Sequence, residues 1–438
     1  MTTTVLARPE TIWIESRQTV NELPATTAPR VGFFGILGAG NSGNDACMET
    51  VLSYLRAAHP DAVMDAMGGG PPERLRVRYG IDAVPLYWYA KYEARISGPA
   101  AIPLKALGKG LDVWRAAAWV RRHDAVIVPG AGPLETTLPV RAWGLPFTLF
   151  VVALSGKLFG TKIALVSVGA DAINKRATRW LSNATARLAF YRSYRDTHSL
   201  TSMQRRGIDT SKDRVYPDLV FGVPTPPYQP GDAETVGVGV MAYYGGNDDR
   251  QRAADIHASY VAKMTTIVSW LVDTDHQVRL FGGDSKFDWD VADQIMAEVR
   301  RARPDLEPSS LTAERANSYA ELMGLMAPVG AVIATRYHNV MCALKLCKPT
   351  ISLGYSRKFV TLMTDMGLEE FSLSADSFEV AQVLEQLEAV KKRHAELRQR
   401  MASRNAANGR ALSEQFDVLS NALFGADKPS GSAIGPLR

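Results

Sequence analysis

The stretch that decides the fold is IATRYHNVMCALKLCKPTISLGYSRK, residues 333–358. An apolar run ends at Ala334, apolar residues recur at helical spacing up to Leu346, and Pro349 then precedes a second apolar run. This pattern predicts a strand, a helix and a strand, which in a parallel sheet bring both strand ends to the ligand-binding edge. Four residues of interest follow those strand ends: Arg336, His338, Tyr355 and Lys358.

These side chains have the chemistry to bind an anion and move a proton. Arg336 and Lys358 carry positive charge that suits a carboxylate or a phosphate. His338 is the residue whose ordinary pKa lies near neutrality. An isolated Arg-x-His is more simply explained as a surface charge beside a helix cap, so the residues that follow it decide between the two interpretations.

The order of residues across this stretch resembles the carboxyl-terminal signature of the polysaccharide pyruvyl transferase family. That signature combines Arg-x-His, a helix of small residues, a proline, an apolar strand and Tyr-x-x-Lys. The matching residues are Arg336, His338, Ala343, Pro349, Tyr355 and Lys358. Other landmarks of the family occur in the expected order, and the resemblance spans roughly residues 30–366.

A glycine-rich loop, LGAGNSGND at residues 37–45, follows the first predicted strand and precedes a helix. Its glycines also fit a dinucleotide fingerprint, but the acid expected about twenty residues later is at best Asp65, which lies inside an apolar run. The loop instead resembles the amino-terminal motif of the pyruvyl transferases, in which glycines at a helix start admit an anion or a sugar. The residues concerned are Gly40, Asn41, Gly43 and Asp45, the last being equally consistent with a helix cap.

A second glycine loop follows the apolar strand predicted at residues 124–128. Gly130 and Gly132 resemble the glycine triplet of the family, although Pro129 and Ala131 depart from its usual form. Glycines at a strand end suit the close approach of a ligand and are also common in ordinary turns.

Arg195 is the candidate for a second anion clamp. It follows a strand predicted at residues 190–194 and precedes Asp196 and Ser199, an arrangement that resembles another landmark of the family. The alternative is a surface arginine that pairs with Asp196.

The 438 residues are enough for two domains of ordinary size. Four prolines in VPTPPYQPGD, residues 223–232, indicate a stiff linker between two runs of alternating strands and helices. We therefore predict an N-terminal extension (1–28), an α/β domain on the acceptor side (29–222), a linker (223–234), an α/β domain on the donor side (235–374), a helical region (375–425) and a disordered tail (426–438).

Composition narrows the class of protein. Three cysteines provide no disulfide framework and no signal peptide precedes the first strand, so we expect a reducing, cytoplasmic setting. The net charge of +5 favours anionic partners, but basic and acidic residues are interspersed and no nucleic-acid-binding signature occurs, so we expect no nucleic acid. Cys342 lies one helical turn after His338 without a further ligand cluster, so we predict no metal site.

The resemblance implies a fold and a reaction. Its fold is two Rossmann-like α/β domains facing across a cleft, the architecture called GT-B in glycosyltransferases. Its reaction transfers pyruvate from phosphoenolpyruvate, a co-substrate that makes a further cofactor unnecessary, to two hydroxyls of a cell-envelope sugar and releases phosphate. It assigns catalysis to His338 and Arg195, and donor binding to Arg336, Lys358, Tyr355 and Arg195. The acceptor would be a free or lipid-linked saccharide, with peripheral contact at the inner face of the cell membrane in the second case.

Two alternatives remain open at this point. A glycosyltransferase that uses a nucleotide sugar would have the same fold and a basic site, although no acid suited to a ribose is evident near His338. A non-catalytic glycan-binding relative would keep the fold without the reaction.

Overall fold

The computed structural model describes residues 28–88, 101–135, 142–246, 249, 251–283 and 286–425. A first sheet of seven parallel strands has the order β3-β2-β1-β4-β5-β6-β7. Its strands are β1 (Arg30–Gly35), β2 (Val63–Gly68), β3 (Asp82–Pro85), β4 (Ala125–Pro129), β5 (Lys162–Val168), β6 (Tyr191–Tyr194) and β7 (Arg214–Val215). Its helices are α1 (Ser42–Ala58), α2 (Pro72–Tyr79), α3 (Ala101–Val120), α4 (Leu145–Phe159), α5 (Arg176–Leu188) and α6 (Thr197–Arg205).

A second sheet of six parallel strands has the order β10-β9-β8-β11-β12-β13. Its strands are β8 (Asp232–Gly239), β9 (Gln277–Phe281), β10 (Leu311–Ala313), β11 (Val329–Ala334), β12 (Thr350–Gly354) and β13 (Ser372–Ser374). The helices of this half are α7 (Ala253–Asp273), α8 (Lys286–Ala302), α9 (Tyr319–Met326), α10 (Tyr337–Lys345) and α11 (Arg357–Asp365), followed by α12 (Val380–Lys392) and α13 (His394–Phe424).

Both sheets reverse their strand order between the first and fourth strand, which is the doubly wound arrangement of Rossmann-like domains. The reversals lie between β1 and β4 and between β8 and β11. The central strands β4 and β11 are buried along their whole length, which explains their unbroken apolar sequences. The predicted pair of Rossmann-like domains is confirmed, and the loops singled out in the sequence lie at the reversal points, where such sheets bind ligands.

Two features differ from the sequence-based expectations. The strand predicted from residue 236 begins at Asp232, because the backbone N–H of Asp232 already donates to the carbonyl of Pro328, 2.9 Å away. The chain thus enters the second sheet within the predicted linker. Four short strands, β3, β7, β10 and β13, lie at or next to sheet edges and were not predicted.

The last helix connects the two halves. Near its middle, the Asn405 amide donates to the carbonyls of Leu344 and Lys345 in α10. Further along, the Phe416 ring stacks on Tyr54 of α1 at 4.7 Å between centroids. Helix α13 therefore returns from the second domain to the first. None of the helices in the described ranges is both long and apolar enough to cross a membrane.

Gln415 fixes this return through a buried hydrogen-bond network. Its side-chain oxygen accepts from the Ser167 hydroxyl at 3.0 Å, and its side-chain nitrogen donates to the Ser193 hydroxyl at 2.8 Å. Gln415 and both serines are fully buried, so each lost hydrogen bond leaves a polar group without water.

We expect Gln415→Leu, which keeps the volume but removes the hydrogen bonds to Ser167 and Ser193, to lower the free energy of unfolding by about 1–3 kcal/mol. The exposed neighbour provides the matched control, because Glu414→Gln removes only a surface ion pair with Arg214. Urea unfolding of the three proteins measures the difference. Equal midpoints for Gln415→Leu and the parent would contradict the role assigned to this network.

Candidate functional site

A cavity of about 610 Å³ lies between the two domains at the carboxyl ends of both sheets. This volume is within the range of small-molecule sites. The first domain contributes Gly40, Asn41, Gly132, Glu135, Arg195 and Asp218 to the wall, among others. The second domain contributes Gly283, Trp289, Glu314, Arg336, His338, Tyr355 and Lys358, among others.

The structure brings most of the predicted site residues to this wall. All four candidates from residues 333–358 line the cavity, together with Arg195 and three residues of the glycine loops. The other three loop residues lie behind the wall: Gly43, Asp45 and Gly130.

His338 reaches across the domain interface to α1. It lies in the first turn of α10, and its imidazole packs on the Cα of Gly43 so closely that a Cβ there would be 1.9 Å from Nε2. Gly43 is helical, so its backbone conformation does not require glycine. The requirement for glycine at this position comes from the imidazole.

Burial and the cations around His338 keep its imidazole neutral. Burial, followed by Lys358, Arg195 and Arg336, lowers the pKa of His338 to about 3. The unfolded chain binds this proton near pH 6.5, so acidification below about 6.5 destabilises the fold through this group until the folded protein also takes up the proton near pH 3. An anion among these cations would raise the pKa again.

Arg336 is held in place by a buried carboxylate. Its Nη2 lies 2.5 Å from Oδ1 of Asp288, which has no exposed surface and also accepts from the backbone N–H of Ala242 at 2.8 Å. Asp288 was not among the site residues predicted from the sequence. The signal was present, because Asp288 falls on the apolar face of α8 with Ala292 and Ile295, four and seven residues later.

Arg195 is buried and does not match the alternative of a surface arginine. Its guanidinium lies 3.5 Å from Glu135, 3.6 Å from Asp196 and 3.6 Å from Asp218. Burial opposes its charge, but Tyr337 and the three carboxylates raise its pKa above the ordinary value. Its Nε is buried against Gly169 and is the guanidinium atom nearest to the Asp196 carboxylate.

Lys358 and Tyr355 form the other side of the site. Lys358 is in the first turn of α11, with its ammonium group 5.2 Å from the centre of the Tyr337 ring and 5.9 Å from that of Tyr355. Burial lowers its pKa, an effect that Glu135 opposes and that Arg195 and Arg336 reinforce. Burial also raises the pKa of the Tyr355 hydroxyl.

The amino-terminal glycine loop is fixed by two side chains of its own. Asn41, and not Asp45, caps α1, since its side chain accepts from the backbone N–H of Asn44 at 3.0 Å. Asp45 accepts from the backbone N–H of Gly38 at 2.7 Å. Gly40 has a φ of +92°, a conformation open mainly to glycine. Asp45 thus shapes the loop from behind.

The second glycine loop makes room for neighbouring side chains. A Cβ on Gly130 would lie 2.5 Å from Sγ of Cys47, and a Cβ on Gly132 would lie 2.1 Å from the Glu135 carboxylate. The Glu135 carboxylate lies beside the Arg195 guanidinium, and both residues line the cavity. Glu135 is a second residue that was not predicted from the sequence as part of the site. Its position just after a strand end is the signal that could have found it.

The fold and the cavity together define a GT-B-like protein, in which the ligand site lies between two Rossmann-like domains. Residues 41–357 match the model of the family named polysaccharide pyruvyl transferase. The chain belongs to the polysaccharide pyruvyl transferase family, as the sequence predicted. No curated protein sequence matches it.

Solved structures confirm the fold class at low sequence identity. UDP-GlcNAc 2-epimerase of Neisseria meningitidis bound to UDP-GlcNAc has a TM-score of 0.56 at 10% identity, covering 90% of this chain and 99% of its own. The corresponding enzyme of Methanocaldococcus jannaschii has a TM-score of 0.54 at 10% identity, covering 82% and 92%. The Anabaena protein HepE in complex with UDP and glucose has a TM-score of 0.55 at 11% identity, covering 90% and 98%. At these identities, the similarity concerns the fold alone.

We expect the His338 imidazole to stay neutral down to about pH 4 in a histidine-labelled NMR titration, because burial and the nearby cations oppose its protonation. Lys358→Gln should raise the pKa of His338 by removing one of these cations. Lys392→Gln, which removes an exposed lysine from the end of α12, is the matched control and should leave it unchanged. A His338 signal that titrates near the ordinary value in the parent protein would refute this electrostatic description.

Proposed function

We propose that this protein is a pyruvyl transferase that builds a pyruvate ketal on a cell-envelope saccharide from phosphoenolpyruvate and releases phosphate. The observation that carries the proposal is the position of His338 beside Arg195, Arg336 and Lys358 in a cavity shared by both domains. Membership of the family supports the same reaction class. Phosphoenolpyruvate brings a phosphate and a carboxylate, which these cations would bind.

Binding of phosphoenolpyruvate would favour the protonated form of His338, which the reaction needs as its acid. In the free protein the imidazole is neutral, and a ligand with about three negative charges would reverse the effect of the surrounding cations and raise the pKa of His338. The guanidinium groups of Arg195 and Arg336 would hold the anionic groups, with Tyr355 beside them. Donor binding is then coupled to the uptake of a proton by His338.

One acid/base group, His338, is enough to account for the proton transfers of the reaction. His338 gives its proton to C3 of the enol, which becomes a methyl group, and C2 becomes electrophilic. The first acceptor hydroxyl adds to C2 and returns its proton to His338. The C2–O bond to phosphate then breaks, the second hydroxyl closes the ketal ring, and its proton leaves with the phosphate. The cations stabilise the departing charge.

The acceptor would bind on the side of the first domain, against Gly40, Asn41 and Gly132. We propose a saccharide there, free or carried on a lipid at the inner face of the cell membrane. Comparison of envelope glycolipids and polysaccharides with and without the protein, by mass spectrometry, would identify the sugar that gains one ketal-linked pyruvate.

A nucleotide-sugar glycosyltransferase is the second candidate, because similar folds have been solved with UDP-GlcNAc and with UDP and glucose. Thermal-shift measurements distinguish the two. Phosphoenolpyruvate should raise the melting temperature in the proposed enzyme, whereas stabilisation by UDP alone would favour the second candidate. A relative that only binds glycans would bind an acceptor without releasing phosphate.

We expect His338→Gln to reduce phosphate release from phosphoenolpyruvate and acceptor by about 10²–10⁴-fold, because it removes the acid/base group but not the hydrogen-bonding capacity. Arg195→Lys should also slow release, since lysine keeps the charge but not the planar fork of donors that binds a carboxylate or a phosphate. Circular dichroism checks that both variants are folded. A folded His338→Gln protein with the parent's turnover would remove His338 from the mechanism.

We expect Gly43→Ala to lower phosphate release about 100-fold, because its methyl group would displace the imidazole from its position. Gly409→Ala is the matched control, since Gly409 also lies in a helix and a Cβ there meets nothing within 4 Å. Turnover of the Gly43→Ala variant equal to that of the control would mean that the active protein does not hold His338 against α1.

A further inference from the structure

The outer face of α4 carries an apolar stripe. Trp143, in the turn before the helix, is followed at helical spacing by Phe147, Phe150, Leu154 and Leu158. Trp143 is 69% exposed and Leu158 is 70% exposed, and the residues between them are at least partly exposed. Five large apolar side chains therefore form one continuous line on the surface. On most soluble proteins, exposed apolar residues are instead scattered singly.

The neighbouring helices widen the stripe. On α5, Trp180 is 61% exposed and its ring lies 5.3 Å from that of Phe150. On α3, Trp114 is 69% exposed, and Arg121 at the end of the helix covers the Phe159 ring at 5.9 Å. We call this surface, formed by α3, α4 and α5, the α4 face.

The charges on the α4 face have one sign. Within the sequences of α3, α4 and α5, the single acidic residue is Asp112, which is buried and bonded to Arg115. Exposed basic residues follow the end of α3 and lie on α4 and α5. They include Arg121, Lys157, Arg176 and Arg187.

We propose that the α4 face binds the surface of an anionic lipid membrane. Exposed tryptophan and leucine side chains insert into the boundary between headgroups and acyl chains, while lysine and arginine at the border contact acidic headgroups. With its 15 residues α4 lies along the surface, being shorter than the ~20 residues needed to span it. In a dimer formed through the α4 face, the basic residues of the two copies would repel each other. An anionic partner therefore fits this face better than a second copy of the chain.

The α4 face and the cavity share one helix. Leu145 and Leu149 line the cavity from the start of α4, while Trp143 and Phe147 belong to the exposed stripe. Membrane binding through this face would hold the cavity beside the lipid surface. On the proposed function, on which this step rests, a lipid-linked saccharide would enter the cavity past the start of α4.

Vesicle flotation of the full chain tests the proposal. We expect the protein to float with vesicles of phosphatidylcholine containing phosphatidylglycerol and to bind pure phosphatidylcholine at least about 10-fold more weakly, because the acidic headgroups contribute to binding. Raising the salt concentration should release it. Equal binding to both vesicles, or none to either, would overturn the proposal.

Paired variants locate the surface. Leu154→Gln/Leu158→Gln and Lys157→Glu/Arg176→Glu should each weaken flotation at least about 10-fold. The control for the apolar variant is Val77→Gln, which changes a 79% exposed residue of α2. The control for the charge variant is Lys392→Glu/Arg410→Glu, which changes exposed residues of α12 and α13. Both controls should float like the parent. If both α4-face variants floated like the parent, the proposal would be overturned. It would also be overturned if the parent bound no vesicles and formed a dimer in solution that these variants dissociate.

The assay contains neither phosphoenolpyruvate nor acceptor, so its outcome is independent of the proposed reaction. Loss of flotation in variants that still release phosphate with a soluble acceptor would separate the surface from the chemistry. Flotation without phosphate release would leave the α4 face in place and count against the proposed function instead.

Discussion

The contact between the His338 imidazole and the Cα of Gly43 is the constraint on which the site depends, because it joins the first turns of two helices from opposite domains. No side chain fits between them, so the approach of the domains and the position of the imidazole are set together. The same device recurs elsewhere in the wall, where the Cα of Gly169 lies against Arg195 and that of Gly283 against Arg336. Glycines at strand ends here give space to charged side chains of the protein itself.

The far end of the helix that carries His338 is anchored to the connection between the domains. Lys345, the last residue of α10, donates to the carbonyl of Phe221 at 2.7 Å, just before the linker, and Asn405 of α13 bonds to the carbonyl of Leu344. Lys348 donates to the carbonyl of Gln229 in the linker at 2.8 Å. Helix α10 therefore contacts the first domain at its start. At its end, it contacts both segments that connect the domains, the linker region and α13. These contacts hold the His338 imidazole against α1.

The sequence was informative where a local pattern determines the structure. The buried strand β11, Pro349 before β12 and the positions of Arg336 and His338 all follow from residues close together in the chain. The return of α13 depends on partners such as Ser167 and Gln415, which are 248 positions apart. Edge strands such as β7, of two residues, are too short to show a period. The position of Asp288 on the apolar face of α8 indicates a buried acid, but the pattern does not identify its partner Arg336, which lies 48 positions further along the chain.

The charges of the site illustrate why a count of residues does not describe its electrostatics. Arg195 contacts three carboxylates and Arg336 contacts Asp288, so acids outnumber the cations with Lys358 included. Even so, burial is the largest cause of the lowered pKa of His338, and Lys358, Arg195 and Arg336 lower it further. The carboxylates therefore orient the arginines without cancelling the positive field at the imidazole. On the proposed function, an anionic donor would meet hydrogen-bond donors that are already in place, which is the condition under which electrostatic interactions contribute most to binding and catalysis.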